Sequence, residues 1–241
     1  MNCKVMGIVN VTPDSFSDGG QFFKPEEAIR RAKNLVADGA DIIDLGGEST
    51  RPGATPISWE EEWSRIEPVL LQLTANSQRL TALVSVDTYH PETAAKAIAA
   101  GATIINCVYP EPIPEMLKLL EGNDVELVLP AKALFPLPSS LFPRLYLDPM
   151  IGFNTTREED VELLRSISEL AKKGRVLVGA SRKRIVKKLV GEKSAVGKNI
   201  GGNVAIAVWA ALNGASVVRV HDVKETVQAL RVVDALGEGE R

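Results

Sequence analysis

Eight short apolar runs recur along the chain, and they limit the possible folds more than any other feature of the sequence. Each run is nearly continuous in apolar residues, which is typical of strands in a parallel sheet that is buried on both faces. The predicted strands span 4–10, 41–45, 83–87, 103–107, 125–129, 144–147, 175–179 and 216–220. Segments with helical periodicity lie between and after them, at 24–40, 91–102, 157–174, 203–213 and 223–236.

This alternation predicts a (β/α)8 barrel of the TIM type, because eight β/α units typically occupy about 250 residues. We expect residues 1–241 to form a single domain. A doubly wound open sheet is the main alternative, but no GxGxxG motif follows an early strand. One unit differs from the others, since segment 130–143 contains four prolines and has no helical period. We therefore predict that the helix after the fifth strand is missing or reduced to a turn.

Composition excludes several classes of function. The net charge is −3, and no basic run suggests that the chain binds nucleic acid. No apolar stretch approaches the roughly 18 residues that span a bilayer, so we expect no membrane partner. Two cysteines form neither a disulfide framework nor a CxxC metal motif. No charged and then apolar leader precedes the first predicted strand, so we expect a reducing, cytoplasmic location.

Polar and charged residues gather where seven of the eight predicted strands end. A TIM barrel carries its active site at this C-terminal face, so these side chains should converge on one mouth. They are Asn10, Glu48, Ser49, Thr50, Arg51, Asp87, Asn106, Asp148, Ser181, Arg182, Lys183, Arg219 and His221.

The residue types at this mouth favour a ligand with two unlike parts. Four cationic groups suit a phosphorylated tail, because guanidinium groups bind phosphate oxygens in pairs. These four are Arg51, Lys183, Arg219 and His221. The carboxylates and the amide suit a polar heterocycle that bears N–H groups, and they are Asp87, Asn106 and Asp148.

Purely structural roles remain open for several of these residues. Asp87 could cap the third helix, Asp148 could form a turn before Pro149, Asn106 could be a satisfied core amide, and His221 could only pack. For Lys183 a structural role is less favoured, because a cation near a helix start opposes the helix dipole.

Two neighbours of the site are interpreted as structural. Arg182 is interpreted as a solvated or salt-bridged neighbour of the site rather than as a ligand-binding residue. Asp222, with Glu225 three residues later, resembles a capping pair for the last helix.

The connection after the first strand is unusually long. The stretch "GIVNVTPDSFSD" (7–18) ends the strand and continues with several polar side chains. Connections in compact α/β domains usually have about two to six residues. Asp14 could simply form a turn, and the length and polarity of this connection alone leave its role open.

Seven motifs resemble, in family order, the successive signatures of the dihydropteroate synthase family of pterin-binding barrels. They are "GIVNVTPDSFSDGG" (7–20), "DIIDLGGESTRPGA" (41–54), "VSVDTY" (84–89), "GATIIN" (101–106), "LDPMIGF" (147–153), "VGASRK" (178–183) and "VRVHDVKET" (218–226). Together they cover almost the whole chain.

The resemblance implies a folate-pathway transferase. Such an enzyme joins 6-hydroxymethyl-7,8-dihydropterin diphosphate to p-aminobenzoate and releases pyrophosphate. It further implies that Asn10 holds Mg2+ and that the long polar connection after the first strand is a lid, with Asp18 near the carbon that loses its leaving group. Thr50, Arg51, Arg219 and His221 would contact the phosphates, and Asp87, Asn106, Asp148 and Lys183 would hold the pterin. Asp18, Lys183 and Arg219 would be the catalytic residues.

Several positions depart from the family pattern. Arg184 follows Lys183 where the family usually has a small hydroxyl residue that helps to hold the arylamine carboxylate. Met150 and Asn154-Thr155 replace a glycine and a glycine–lysine pair, Cys107 replaces an aspartate, and "LVLPAKAL" (127–134) replaces the strand-five signature. Loss of the fifth helix could expose an apolar face that a homodimer would cover.

These departures keep two alternatives open. One is a synthase that uses a modified arylamine, as in methanopterin-type pathways. The other is a non-catalytic or methyltransferase-type pterin-binding barrel.

Overall fold

The computed structural model describes residues 2–12, 24–49, 55–75, 81–109, 111–134, 137–191 and 199–237. Three predicted site residues, Asp18, Thr50 and Arg51, lie outside these ranges, as do Asp14 and the predicted lid after the first strand.

Eight parallel strands form one closed barrel in sequence order, and β1 pairs with β8 to complete the ring. The strands are β1 Lys4–Asn10, β2 Ile42–Gly46, β3 Leu83–Asp87, β4 Ile104–Asn106, β5 Glu126–Pro130, β6 Leu145–Asp148, β7 Arg175–Val178 and β8 Val217–Val220. The prediction of a TIM barrel is confirmed, and the strand bounds differ from the predicted bounds by one residue or less.

Helices surround the barrel. They are α1 Pro25–Ala37, α2 Trp59–Ala75, α3 Pro91–Ala99, α4 Ile113–Lys118, α5 Arg157–Arg165, α6 Ile167–Ala171, α7 Arg184–Val190, α8 Ile200–Leu212 and α9 Val223–Gly237. The predicted helix at 157–174 is divided at Ser166, which ends α5 and precedes α6. Helices α2 and α4 were not predicted from the sequence, and α7 was expected only as a helix start near Lys183. Among the described residues, no helix has the length and apolar character required to cross a membrane.

The described residues between β5 and β6, 131–134 and 137–144, contain no α-helix, as predicted. Two 3-10 segments, Ala131–Leu134 and Ser139–Arg144, take its place. Leu137, Leu141 and Phe142 of this segment pack against the core. The guanidinium of Arg144 donates to the carbonyls of Leu120 and Val125, each at 2.8 Å.

The apolar face expected from loss of the fifth helix therefore does not appear in the described part of this segment. Exposed large apolar side chains are instead concentrated on α7 and α8, where they are Leu189, Val190, Ile200, Trp209 and Leu212.

Strand alternation explains which side chains point into the barrel, because successive residues of a strand face opposite sides. Seven side chains form a separate buried cluster that fills the barrel interior: Met6, Ile42, Ile104, Val128, Tyr146, Leu177 and Val217. Two residues further along their strands lie Asp44, Asn106, Asp148 and Arg219. The same alternation therefore directs these polar side chains inward, nearer the C-terminal mouth.

Candidate active site

Arg219 on β8 is held between two carboxylates at the mouth of the barrel. Its Nε donates to Asp44 Oδ2 and its Nη2 to Asp87 Oδ2, both at 2.6 Å. These two bonds use two of the five N–H donors of a guanidinium group, so three donors remain for other partners. Asp87 does not cap α3, because the capping position there is His90.

Burial raises the pKa of Asp87 to about 7. The neighbouring carboxylates of Asp44 and Glu62 contribute to this increase, and the charges of Arg219 and Lys183 oppose it. A carboxyl group that titrates near neutral pH inside a cleft is a feature of functional sites.

Asp44 is a site residue that the sequence analysis missed. It lies on β2 with no exposed surface, and its Oδ2 accepts from Asn106 Nδ2 at 3.2 Å as well as from Arg219. The available signal was a single carboxylate inside the apolar run "IIDLG" (42–46). Buried charges are rare unless they are paired, so such a residue requires a cation within the barrel.

Asn106 is not the satisfied core amide that the sequence left open. It is 2% exposed, and its Nδ2 bonds to Asp44, but its Oδ1 has no partner among the described residues. An unpaired buried acceptor is costly, so this oxygen is available for a donor on a ligand.

Asp148 and Lys183 form the opposite wall. Asp148 is 4% exposed, and its Oδ1 accepts from the backbone N–H of Met150 at 2.6 Å. It therefore does form a turn, as the alternative held, and burial raises its pKa. Lys183, the residue before α7, donates from Nζ to the carbonyl of Ile151 at 2.6 Å and lies over the ring of Phe153. Burial lowers the pKa of Lys183 to about 8, and the charge of Asp148 opposes this shift.

His221 does more than pack. Its Nδ1 lies 3.2 Å from Ser181 Oγ, and its carbonyl accepts from Arg31 of α1 at 2.9 Å. Burial lowers the pKa of His221 to about 3, and the charges of Arg182 and Arg219 contribute. The predicted cation at this position is therefore a neutral imidazole at pH 7, which can donate a hydrogen bond but brings no charge.

Arg182 is a salt-bridged neighbour, as interpreted from the sequence. Its Nη2 donates to Asp222 Oδ1 at 2.6 Å, and its backbone N–H donates to Asn203 Oδ1. Asn203 Nδ2 in turn donates to Asp222 Oδ2 at 3.0 Å. Asp222 therefore has a structural role, as expected. It performs this role by bonding to the side chains of Arg182 and Asn203, which join the β7 and β8 loops to α8.

Asn10 ends β1 at the same mouth. Gly46 on the neighbouring strand has no side chain there, and a Cβ at Gly46 would lie 3.8 Å from Asn10 Oδ1. Among the described residues, no group of three His, Cys, Asp or Glu side chains could form a metal cage. The amide oxygen of Asn10 therefore lies at the mouth beside a strand position that carries no side chain.

The described side chains create a mouth with an acceptor-lined pocket, formed by Asp87, Asn106 and Asp148, next to Arg219 and His221. Such a pocket can bind a flat heterocycle with N–H donors, and the guanidinium beside it can bind an anionic group.

A family model described as pterin binding enzyme matches residues 6–136 and 141–221. The dihydropteroate synthase of Staphylococcus haemolyticus is 36% identical, and the alignment covers 98% of this chain and 96% of that protein. The chain belongs to the dihydropteroate synthase family.

Solved structures of dihydropteroate synthases agree with this assignment. That of Xanthomonas albilineans with 4-aminobenzoic acid is 38% identical, with a TM-score of 0.87 over 98% of this chain and 94% of that one. That of Anaplasma phagocytophilum with bound 6-hydroxymethylpterin-monophosphate is 29% identical, with a TM-score of 0.84 over 98% of this chain and all of the other. This family member is accordingly a transferase.

The departures from the family pattern have local structural consequences. Met150 and Asn154 occupy positions where dihydropteroate synthases favour glycine, and both have left-handed backbones, with φ of 67° and 52°. Cys107 is buried beside β4, with its Sγ near the carbonyl of Tyr109. Arg184, the first residue of α7, is exposed. The altered positions therefore lie in the β4, β6 and β7 loops that surround the site.

Proposed function

We propose that the chain joins 6-hydroxymethyl-7,8-dihydropterin diphosphate to p-aminobenzoate, with release of pyrophosphate and formation of 7,8-dihydropteroate. The observation that carries this proposal is the Asp44–Arg219–Asp87 arrangement beside the unpaired Oδ1 of Asn106. It joins an anion-binding group and a heterocycle-binding group in one mouth.

The pterin head is proposed to bind through Asp87, Asn106, Asp148 and Lys183. A heterocycle with ring N–H and amino groups supplies donors for the three acceptor side chains. Lys183 already spans the β6 and β7 loops through its bond to Ile151, so its stem can form one side of the pocket. Asp148 retains a second oxygen for the ligand, because the bond from Met150 uses only Oδ1.

The diphosphate is proposed to bind Arg219, His221, Thr50 and Arg51. Cleavage of the C–O bond leaves a pterin-stabilised cation and places the developing negative charge on pyrophosphate. The main requirement is to stabilise that charge, which prepositioned donors do in a site that excludes water. Arg219 supplies a fixed positive charge, and neutral His221 supplies a hydrogen bond.

Mg2+ is the proposed cofactor, and Asn10 is its proposed protein ligand. The donor set fits, because Mg2+ typically takes one or two protein oxygens and fills its remaining positions with water and substrate phosphates. A single amide oxygen beside an unobstructed Gly46 matches that pattern better than a dedicated cage would. When bound, Mg2+ would act as a Lewis acid on the leaving pyrophosphate.

Asp18 is proposed to lie on a lid formed by the connection after β1. A carboxylate there would steady the cation while the lid excludes water. This role comes from the family resemblance and the length of the segment.

The acceptor is proposed to be p-aminobenzoate, since the Xanthomonas albilineans relative was solved with 4-aminobenzoic acid. One observation favours a second candidate, a larger anionic arylamine of the kind used in methanopterin-type pathways. The exposed Arg184 directly follows Lys183 and could pair with an additional acidic group.

The remaining proposals concern the whole protein. We infer that residues 1–241 form a single catalytic domain that acts in the cytoplasm, where the free thiols of Cys3 and Cys107 remain reduced. We also infer a homodimer, because exposed apolar side chains such as Trp209 and Leu212 are concentrated on α7 and α8. Sedimentation equilibrium tests that state.

The deciding experiment measures pyrophosphate release from the dihydropterin diphosphate with Mg2+, with and without p-aminobenzoate. Release that depends on p-aminobenzoate supports the proposal. Release only with a larger arylamine supports the second candidate. Binding of a pterin without any affinity for pyrophosphate would contradict both and favour a methyltransferase-type barrel.

A further inference from the structure

Asp44 engages two site residues with a single oxygen atom. Oδ2 accepts from Arg219 Nε at 2.6 Å and from Asn106 Nδ2 at 3.2 Å. Arg219 lies beside the proposed phosphate site and Asn106 beside the proposed pterin site, so one fully buried carboxylate contacts both halves of the mouth.

The chemistry of this contact decides how the Asn106 amide is oriented. A carboxylate paired with a guanidinium only accepts hydrogen bonds, whereas an amide has a donating and an accepting end. The NH2 end of Asn106 must therefore face Asp44, and the opposite end, Oδ1, faces away from it. Oδ1 is buried and has no partner among the described residues.

We propose that Asp44 determines the hydrogen-bond polarity of the head-group pocket, because it fixes Asn106 so that the pocket presents an acceptor there. The pocket would then select a heterocycle with an exocyclic amino group over the counterpart that has an oxo group at the same position. Asp44 acts through Asn106, so it is a positioning residue. The inference rests on the proposed function, which assigns the pterin head to this pocket.

The test compares two ligands that differ at that group, 6-hydroxymethylpterin with its 2-amino group and 6-hydroxymethyllumazine with a 2-oxo group. Their dissociation constants are measured by titration calorimetry, and the ratio is the readout. A merely structural residue would change both constants or neither. Asp44 should change the ratio.

In the variant Asp44→Ala, residue 44 no longer accepts from Asn106 Nδ2, so the Asn106 amide is no longer held in one orientation. We expect the preference for the pterin to fall by about tenfold or more, which corresponds to one hydrogen bond. Glu126→Ala is the matched control, because it removes the carboxylate of the Arg175–Glu126 pair at the other end of the barrel. It should leave the ratio unchanged.

The double variant Asp44→Ala/Asn106→Asp makes the positioning contact unnecessary. A carboxylate at 106 presents an acceptor to the ligand in either orientation of its side chain, so it needs no partner at residue 44. We expect this variant to regain most of the preference. It also provides the test if Asp44→Ala alone fails to show a cooperative thermal melt.

The possible outcomes separate the inference from the proposed function. A wild-type protein that binds neither ligand would contradict the pterin assignment itself. A wild-type preference that persists within twofold in a folded Asp44→Ala protein would overturn only the inference. Failure of the double variant to regain the preference would overturn it as well.

Discussion

An arginine is paired with carboxylates at both ends of the barrel interior. At the N-terminal end, Arg175 donates to Glu126 at 2.5 Å and lies over the ring of Tyr146, whose hydroxyl also donates to Glu126. At the C-terminal mouth, Arg219 donates to Asp44 and Asp87. The two clusters use the same chemistry, but their surroundings differ.

The two clusters differ in which of their buried polar atoms lack a hydrogen-bond partner. At the N-terminal end, one buried donor, Arg175 Nη2, lacks a partner among the described residues, whereas at the mouth the acceptors Asp44 Oδ1 and Asn106 Oδ1 lack one. Unpaired buried acceptors cost stability unless a ligand or water satisfies them. The N-terminal cluster thus closes the barrel, and the mouth retains unused acceptors for a ligand.

Removal of each arginine gives the largest expected contrast. Arg219→Met leaves two carboxylates without their cation, and one of them, Asp44, is fully buried, so we expect a loss of about 3–5 kcal/mol of unfolding free energy. The Glu126 side chain is 30% exposed, so Arg175→Met should cost only about 1–2 kcal/mol. Urea denaturation measures both.

The two arginine variants should also differ in enzymatic activity. Pyrophosphate release should be abolished in Arg219→Met and retained in Arg175→Met at temperatures where both are folded. Equal losses of stability would show that the two clusters do not differ as the structure indicates.

Carboxylate-to-amide changes should have different consequences at the two ends. Asp148→Asn is expected to weaken pterin binding by about 1.5–3 kcal/mol, the value of a hydrogen bond to a charged group, while the fold stays intact. Glu126→Gln should leave that affinity unchanged. Fluorescence titration with 6-hydroxymethylpterin gives the affinities, and an unaltered affinity in Asp148→Asn would remove Asp148 from the pocket.

At the mouth, the carboxyl group of Asp87 titrates near neutral pH. The folded pKa of Asp87 is raised to about 7, so the stability that this group contributes is fully present below its unfolded pKa near 4 and is lost as the pH rises through 7. The unfolding free energy of wild type minus that of Asp87→Asn should therefore fall from pH 4 to pH 8. At the N-terminal end, burial raises the pKa of Tyr146 to about 12, outside this interval.

Ligand binding should show the opposite pH trend. The ionised form of Asp87 accepts from the pterin, so affinity is expected to fall about tenfold between pH 8 and pH 6. Tyr146→Phe is the control and should keep this dependence, whereas Asp87→Asn should lose it. The same slope in Asp87→Asn would assign the titration to another group at the mouth, such as Lys183.

The sequence predicted the strands better than the helices. Apolar runs marked all eight strands, because strands of a parallel sheet are buried on both faces and read as short, nearly continuous apolar stretches. The missed α2 carries Pro68 in its interior and the missed α4 is only six residues long, so helical period and end signals were weak in both. Segment 157–174 was predicted as one helix because periodicity does not reveal the break at Ser166.

Site prediction reached the strand ends but not the strand interior. The sequence pointed to Asp87, Asn106, Asp148, Lys183, Arg219 and His221 from their positions at or near the ends of apolar runs, and the structure brings these six side chains to one mouth. Asp44 was not, because it lies two residues before its strand ends and reveals its role only through tertiary contacts with β4 and β8. The neutral state of His221 was equally hidden, since it depends on burial and on the neighbouring arginines.

Backbone conformation differs between the two ends as well. In the turns that lead into β2, β4, β5 and β8 at the N-terminal end, the left-handed positions are glycines: Gly39, Gly101, Gly122 and Gly214. At the mouth, Met150, Asn154 and Arg182 adopt positive φ values without being glycine. Strained backbones of this kind persist where the surrounding structure holds them, and they are concentrated at functional sites.

The smallest predicted effects come from introducing a glycine at the mouth, Met150→Gly, and removing one at the N-terminal end, Gly101→Ala. Met150→Gly removes the backbone strain of a φ of 67° and keeps the N–H that donates to Asp148. It also increases the conformational entropy of the unfolded chain, which opposes the gain. We expect a net gain of about 0.5 kcal/mol in unfolding free energy. Gly101→Ala should instead lose more than about 1 kcal/mol, because φ is 98° and the new Cβ would lie 3.2 Å from Thr74. Urea denaturation distinguishes the signs. A loss of stability in Met150→Gly comparable to that in Gly101→Ala would mean that the Met150 side chain stabilises the loop by more than its backbone conformation costs.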